Sequence, residues 1–215
     1  MAAATVTELF SGTVRHFPTA LTGALAVAGL STGRPAWIVA AVGTIITAVI
    51  TLGIQYILQK GFALGPMPGD AVLQACGVIP VAAAGTEYYA TPSVWVAMTA
   101  FVGTYIITSA ASVLNTRPAT ASKDSMAVQQ RKSVGMLSIV TTVLLLLFLM
   151  IARLRTSCET VLGTMSGAAV GAILGYGLWR AFSASDPLAG DIHGVMAALR
   201  PGNLRTSPLA CVPGS

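Results

Sequence analysis

Charge is scarce in this sequence. Of its 215 residues only 9% are Asp, Glu, Lys or Arg, while 54% are hydrophobic and the mean hydropathy is +0.77. A soluble globular domain carries roughly 25% charged residues, so that class is excluded. The chain has only two histidines, His16 and His193, far apart in sequence. Its three cysteines, Cys76, Cys158 and Cys211, are an odd set without a C-x-x-C spacing. Neither a zinc site nor a complete disulfide framework is indicated, and the cysteines read as packing or tail residues. No metal and no cofactor is called for. The chain also lacks the alternating strands of roughly ten residues that build a membrane barrel, any tandem repeat, and the basic and aromatic stripe of a nucleic-acid binder. The net charge of +5 is spread over loops and helix ends, which suits anionic lipid headgroups. Residues Met1 to Glu8 have no basic n-region, so the spans themselves are expected to direct the chain to the membrane.

What is there is a series of long apolar runs. Backbone groups in hydrocarbon must be satisfied within their own segment, so these runs predict helices. Spans fall at about 17–33, 35–58, 92–114, 134–152 and 161–182, each near the roughly 17–25 residues that cross a bilayer. Pro35 and Pro92 suit a first helical turn, and Trp37, Tyr56, Lys60 and Trp95 suit interface depth. Residues 1–16 read as an interfacial segment ending in Arg15 and His16. The stretch from Lys60 to Asp70 is broken by glycine and proline, and 71–84 is short and contains Pro80, so it reads as a re-entrant or half-inserted segment. The 115–133 stretch, with Arg117, Lys123, Asp124, Arg131 and Lys132, reads as a surface loop, and 183–215 as an extended, surface-bound tail. The expected fold is all-α, a polytopic bundle of five spans plus the half-inserted segment. Arg34, Arg117, Lys123, Arg131, Lys132 and Arg180 then share one face, and Arg15, Lys60, Arg153 and Arg155 the other. The richer face, with the 115–133 loop and the C-terminal tail, is expected to be cytoplasmic.

The last span carries Gly163, Gly167, Gly171 and Gly175, every fourth residue. Such a stripe lets another helix approach backbone to backbone, so this helix is expected at the centre of the bundle, in a contact within the chain. Just before it lie Arg153, Arg155 and Glu159. Glu159 is expected to pair with Arg155, at i to i+4 spacing, or with Lys60 or Arg153, tying the loops together. The other reading makes Lys60, Arg153 and Arg155 a pocket for phosphate or a lipid headgroup.

Three places on that second face resemble the motifs of the type 2 phosphatidic acid phosphatase (PAP2) superfamily, K-x6-R-P, P-S-G-H and S-R-x5-H-x3-D. The chain has Lys60, six residues, then Met67-Pro68; Pro92-Ser93-Val94-Trp95 opening a span; and Arg153, five residues, Glu159, three residues, Gly163. The resemblance covers roughly residues 35–182 and implies a helical phosphatase-like bundle. In that family one histidine attacks phosphorus, an aspartate orients it, a second histidine protonates the leaving alkoxide, and lysine and arginines hold the phosphoryl oxygens. Here Glu159 stands at the nucleophile position, Gly163 at its partner's, Trp95 at the acid's and Met67 at one arginine's. Only Lys60 and Arg153 keep their charge. The resemblance therefore implies a pseudoenzyme.

A second resemblance lies in Pro92 to Trp95, Arg153 to Gly163, and the tail with Asp191-Ile192-His193-Gly194 and Ala210-Cys211-Val212-Pro213. These resemble small multi-pass proteins of large DNA viruses that carry a lipid layer beneath the capsid. That implies a structural role in a virion inner membrane, with other membrane or capsid proteins reached through the 115–133 loop and the 183–215 tail. Two further functions stay open: a lipid phosphatase or phosphotransferase with altered residues, and a channel or transporter subunit.

Overall fold

The computed structural model describes residues 2–62, 91–115, 125–156, 158–185 and 190–193. They form five α-helices: α1 Ala2–Thr32, α2 Pro35–Phe62, α3 Val94–Asn115, α4 Ser125–Arg155 and α5 Val161–Ser185. Four of these, α2 to α5, are long and apolar enough to cross a membrane. Large side chains such as Val49, Leu144, Leu162 and Ile173 lie exposed on their outer faces, which a bilayer covers and water does not tolerate in such number. The chain is built as an integral, multi-pass helical membrane protein.

The helix ends are written in local chemistry. Gly33 ends α1 in the left-handed region, φ 64°, where a residue with a Cβ is strained, and Pro35 starts α2 at a position that needs no N–H donor. Ser93 caps α3, its hydroxyl oxygen accepting from Val96 N–H at 3.1 Å. Thr160 caps α5 in the same way, accepting from Gly163 N–H at 2.9 Å. The peptide bond between Thr91 and Pro92 is cis.

Close contacts set the helix directions. Side chains added at Gly167, Gly171 and Gly175 would run into the backbone at Ser93, Ala97 and Phe101 in turn, so α5 lies parallel to α3. Gly103 faces Leu146 and Gly135 faces Leu114, so α4 runs antiparallel to α3. Gln55 Nε2 donates to Pro92 O at 2.6 Å, which sets the end of α2 beside the start of α3. A rim results where α2 and α4 finish and α3 and α5 begin. Along its length α2 turns Ala40, Thr44, Thr47 and Thr51 into the bundle, all buried. Each threonine hydroxyl donates to the carbonyl four residues back, so burial leaves no donor idle.

The centre of the bundle is α3, not the glycine helix. In its most apolar stretch 67% of the residues are buried, against 28% in α5 and 11% in α4. The glycine stripe is narrow: it buries Gly163, Gly167, Gly171 and Gly175 against α3 and leaves Leu162, Met165 and Ile173 on the outside. Other boundaries move too. α1 runs unbroken from residue 2 through Pro18, where a separate interfacial segment and a span at 17–33 were expected, and it is not among the four helices apolar enough to span. Residues 125–133 of the expected loop are the first turns of α4, and α5 continues to Ser185. The tail is not wholly superficial. Asp191 and Ile192 are buried, Ile192 N–H donates to Ser109 Oγ at 3.2 Å, and Trp179 Nε1 donates to Gly190 O. The half-inserted segment 71–84, residues 116–124 and residues 194–215 lie outside the described residues.

Gly171→Ala is expected to destabilise the protein by about 1–3 kcal/mol, because its Cβ would overlap Ala97 O and backbone cannot swing aside. Gly177→Ala, which meets nothing within 4 Å, should instead be neutral or stabilise by up to about 1 kcal/mol. Thermal unfolding of the two variants in detergent measures the difference, and equal effects would remove the packing role assigned to the stripe.

Candidate functional site

The rim gathers groups from several helices around one indole ring. Trp95, in the first turn of α3, is fully buried. Its Nε1 donates to the carbonyls of Val14 at 3.1 Å and Arg15 at 3.2 Å on α1. The reason lies four residues on, at Pro18. Proline has no N–H, so the Val14 carbonyl loses its partner within the helix, and the indole replaces it. Phe17 packs beside the same ring at 6.4 Å between centroids.

Over the Trp95 ring, 5.0 Å from its centroid, lies the guanidinium of Arg153 from the last turn of α4. Arg153 Nη2 donates to Glu159 Oε1 at 2.8 Å, and the two side chains are 2% and 0% exposed. A cation on an indole face contributes about 2 kcal/mol when desolvated. The ion pair is a different matter. Taking both charges from water costs several kcal/mol each, so the pair roughly offsets its own burial, but parting it strands a buried charge.

The turn that brings Glu159 to Arg153 is short and tied at several points. Cys158 N–H donates to Arg153 O at 3.2 Å, Thr156 N–H to Ala152 O at 3.0 Å, and Thr91 Oγ1 meets Thr160 Oγ1 at 3.5 Å. Ser93 N–H donates to Gly163 O at 3.0 Å, joining the starts of α3 and α5 directly. Cys158 is buried and disulfide-bonded, its partner lying outside the described residues. This corrects the expectation of a plain packing cysteine, which an odd cysteine count invites.

Pro92, Ser93, Val94, Trp95, Arg153, Glu159 and Gly163 thus meet at one rim. The partner of Glu159 is Arg153, not Arg155, because α4 stops at Arg155 and the following turn does not keep helical spacing. Arg155 is exposed. Lys60 is at the same end of the bundle, one turn beyond Gln55, but is exposed and lies over its own neighbour Tyr56, 5.8 Å from the ring centroid. Met67 and Pro68 lie outside the described residues. His16 is exposed on α1, and His193 is at the opposite end near Ile192 and Ser109. Among the described residues no cluster of His, Cys, Asp and Glu could hold a metal ion.

Sequence reasoning passed over Pro18, Thr160 and the Val14 carbonyl. A proline inside a helix was the available signal for an orphaned carbonyl four residues earlier. No protein-family model matches the chain, and no curated protein or solved structure is significantly similar to it.

Arg153→Ala is expected to cost about 3–5 kcal/mol, since it leaves the Glu159 carboxylate buried without its cation. The double variant Arg153→Met, Glu159→Leu should recover most of that loss, because apolar side chains of similar size remove the penalty from both sides. Denaturation in micelles tests the pair, and a near-neutral Arg153→Ala would show that the contact carries no weight.

Proposed function

We propose that this protein is a non-catalytic, phosphatase-like membrane protein whose role is structural. The observation that carries this reading is the buried Arg153–Glu159 pair on Trp95. An arginine that holds a phosphoryl group must offer its N–H donors to an anion entering from outside. Arg153 instead donates to an internal carboxylate and lies over an indole. Glu159, at the position of the family's nucleophile, would repel a phosphate dianion, and Trp95, at the position of the acid, has no proton to transfer to an alkoxide. Its indole N–H is already engaged by α1. The residues that chemistry would require are replaced by residues that close the rim.

Under the scaffold reading the outer faces of the bundle meet lipid, and the 115–133 stretch and the 183–215 tail meet other proteins. The assembly in question is a membrane with an attached shell, of the kind implied by the second resemblance.

Purified protein supplied with a short-chain phosphatidic acid is expected to release no phosphate in a vanadate-sensitive manner. Release that vanadate blocks and that Arg153→Lys abolishes would discard the scaffold reading in favour of a phosphatase with altered residues. Losing one member of such a catalytic unit costs several powers of ten in rate, so the two outcomes are well separated.

A further inference from the structure

The two ends of the bundle differ in covalent and ionic chemistry, and both differences bear on which compartment each end faces. At the rim, Cys158 is buried and disulfide-bonded between Arg153 and Glu159, in the turn joining α4 to α5. Structural disulfides persist in oxidising compartments and are rare where glutathione and thioredoxin keep thiols reduced. At this rim Arg153 is paired internally with Glu159, and Arg15, Lys60 and Arg155 are the other cations.

The other end carries Arg34 at the turn between α1 and α2, Lys132 on the early turns of α4 and Arg180 near the end of α5, all exposed. Arg131 belongs to the same turns of α4, and Arg117 and Lys123 to the connection between α3 and α4, whose flanking helix ends are both here. The one acidic residue described at this end, Asp191, is buried. Cations near span ends collect on the cytoplasmic side, where the leaflet is rich in anionic lipid and each Lys or Arg near the surface is attracted to it.

We infer that the rim holding Trp95, Arg153 and Cys158 lies on the oxidising face of its membrane, and that the end holding Arg34, Lys132 and Arg180 engages the anionic headgroups of the cytosolic leaflet. The disulfide and the cation distribution are independent of each other and give the same orientation. The inference also holds whether the rim is catalytic or structural. Anything that docks at the rim then does so from the lumenal or external side. Anything that meets the α3–α4 connection does so from the cytosol.

Two native lysines test this without any substitution, since Lys60 is exposed at the rim and Lys132 at the other end. Sealed microsomes with the cytosolic face outward, prepared from cells producing the full chain, are treated with a membrane-impermeant amine-reactive ester and analysed by peptide mass spectrometry. Lys132 is expected to react directly and Lys60 only after detergent opens the vesicles. Thiol blocking of the chain unfolded without reductant is expected to leave Cys158 unmodified, and blocking after reduction to modify it. The reverse labelling order, equal labelling of both lysines in sealed vesicles, or a Cys158 that blocks as a free thiol would overturn the inference.

Discussion

Everything at the rim depends on how closely α5 can approach α3. Between helices in lipid there is no hydrophobic driving force, so association rests on dispersion contacts and polar ties that only short distances allow. Gly167, Gly171 and Gly175 supply that distance by presenting backbone where Ser93, Ala97 and Phe101 present theirs. The approach also fixes register. With the two helices level, Ser93 N–H reaches Gly163 O, the caps Ser93 and Thr160 sit side by side, and the turn before α5 passes directly over the start of α3. Glu159 falls on Arg153 because that turn has nowhere else to go.

The ion pair that results is a poor source of stability and a strong source of specificity. Apolar residues of the same size would do as well for net free energy. What they would not do is penalise every arrangement in which α4 slides or the turn lifts, since each of these separates two buried charges. Trp95 extends the same logic to α1. Its indole face needs the guanidinium above and its N–H needs the carbonyl that Pro18 releases, so a shift of α1 or α4 exposes an unmet demand on α3. The starts of α3 and α5, the end of α4 and the middle of α1 are thereby held to one another through Trp95, Arg153 and Glu159.

The sequence made part of this legible. The existence of α2 to α5 and the starts of α2 and α3 follow from apolar length and from Pro35 and Pro92, because hydrocarbon thickness and local backbone chemistry leave little freedom, whereas the polar first turns of α4 before Val134 read as loop. The continuity of α1 was not legible, since a proline removes one hydrogen bond and only a distant tryptophan decides whether that loss breaks the helix. Nor was the central place of α3. A helix apolar on all sides is suited equally to lipid and to protein neighbours, and hydropathy does not distinguish Phe101, buried, from Leu144, exposed. The choice of Arg153 over Arg155 turned on where α4 ends, which spacing rules applied to an assumed helix cannot supply. The disulfide at Cys158 was hidden for a similar reason, because its partner is remote in sequence and the count of cysteines is odd.

If the proposed kinship with membrane phosphatases holds, the pattern of what was kept and what was lost has a physical explanation. Pro92 and Ser93 match the family's second motif, and Ser93 caps a helix and ties it to its neighbour, tasks that do not require catalysis. Arg153 matches the third, and a buried cation stacked on an indole can only be removed at great cost once a carboxylate faces it. Three of the positions that changed, Trp95, Glu159 and Gly163, are those whose family counterparts act mainly by moving or orienting protons and attacking phosphorus. Under that proposal the same positions hold an indole and a carboxylate around the Arg153 guanidinium. A framework of this sort is harder to lose than the chemistry it carried where, as at Ser93 and Arg153, the residue also ties helices together, whereas Lys60 is exposed and has no such tie to the rim.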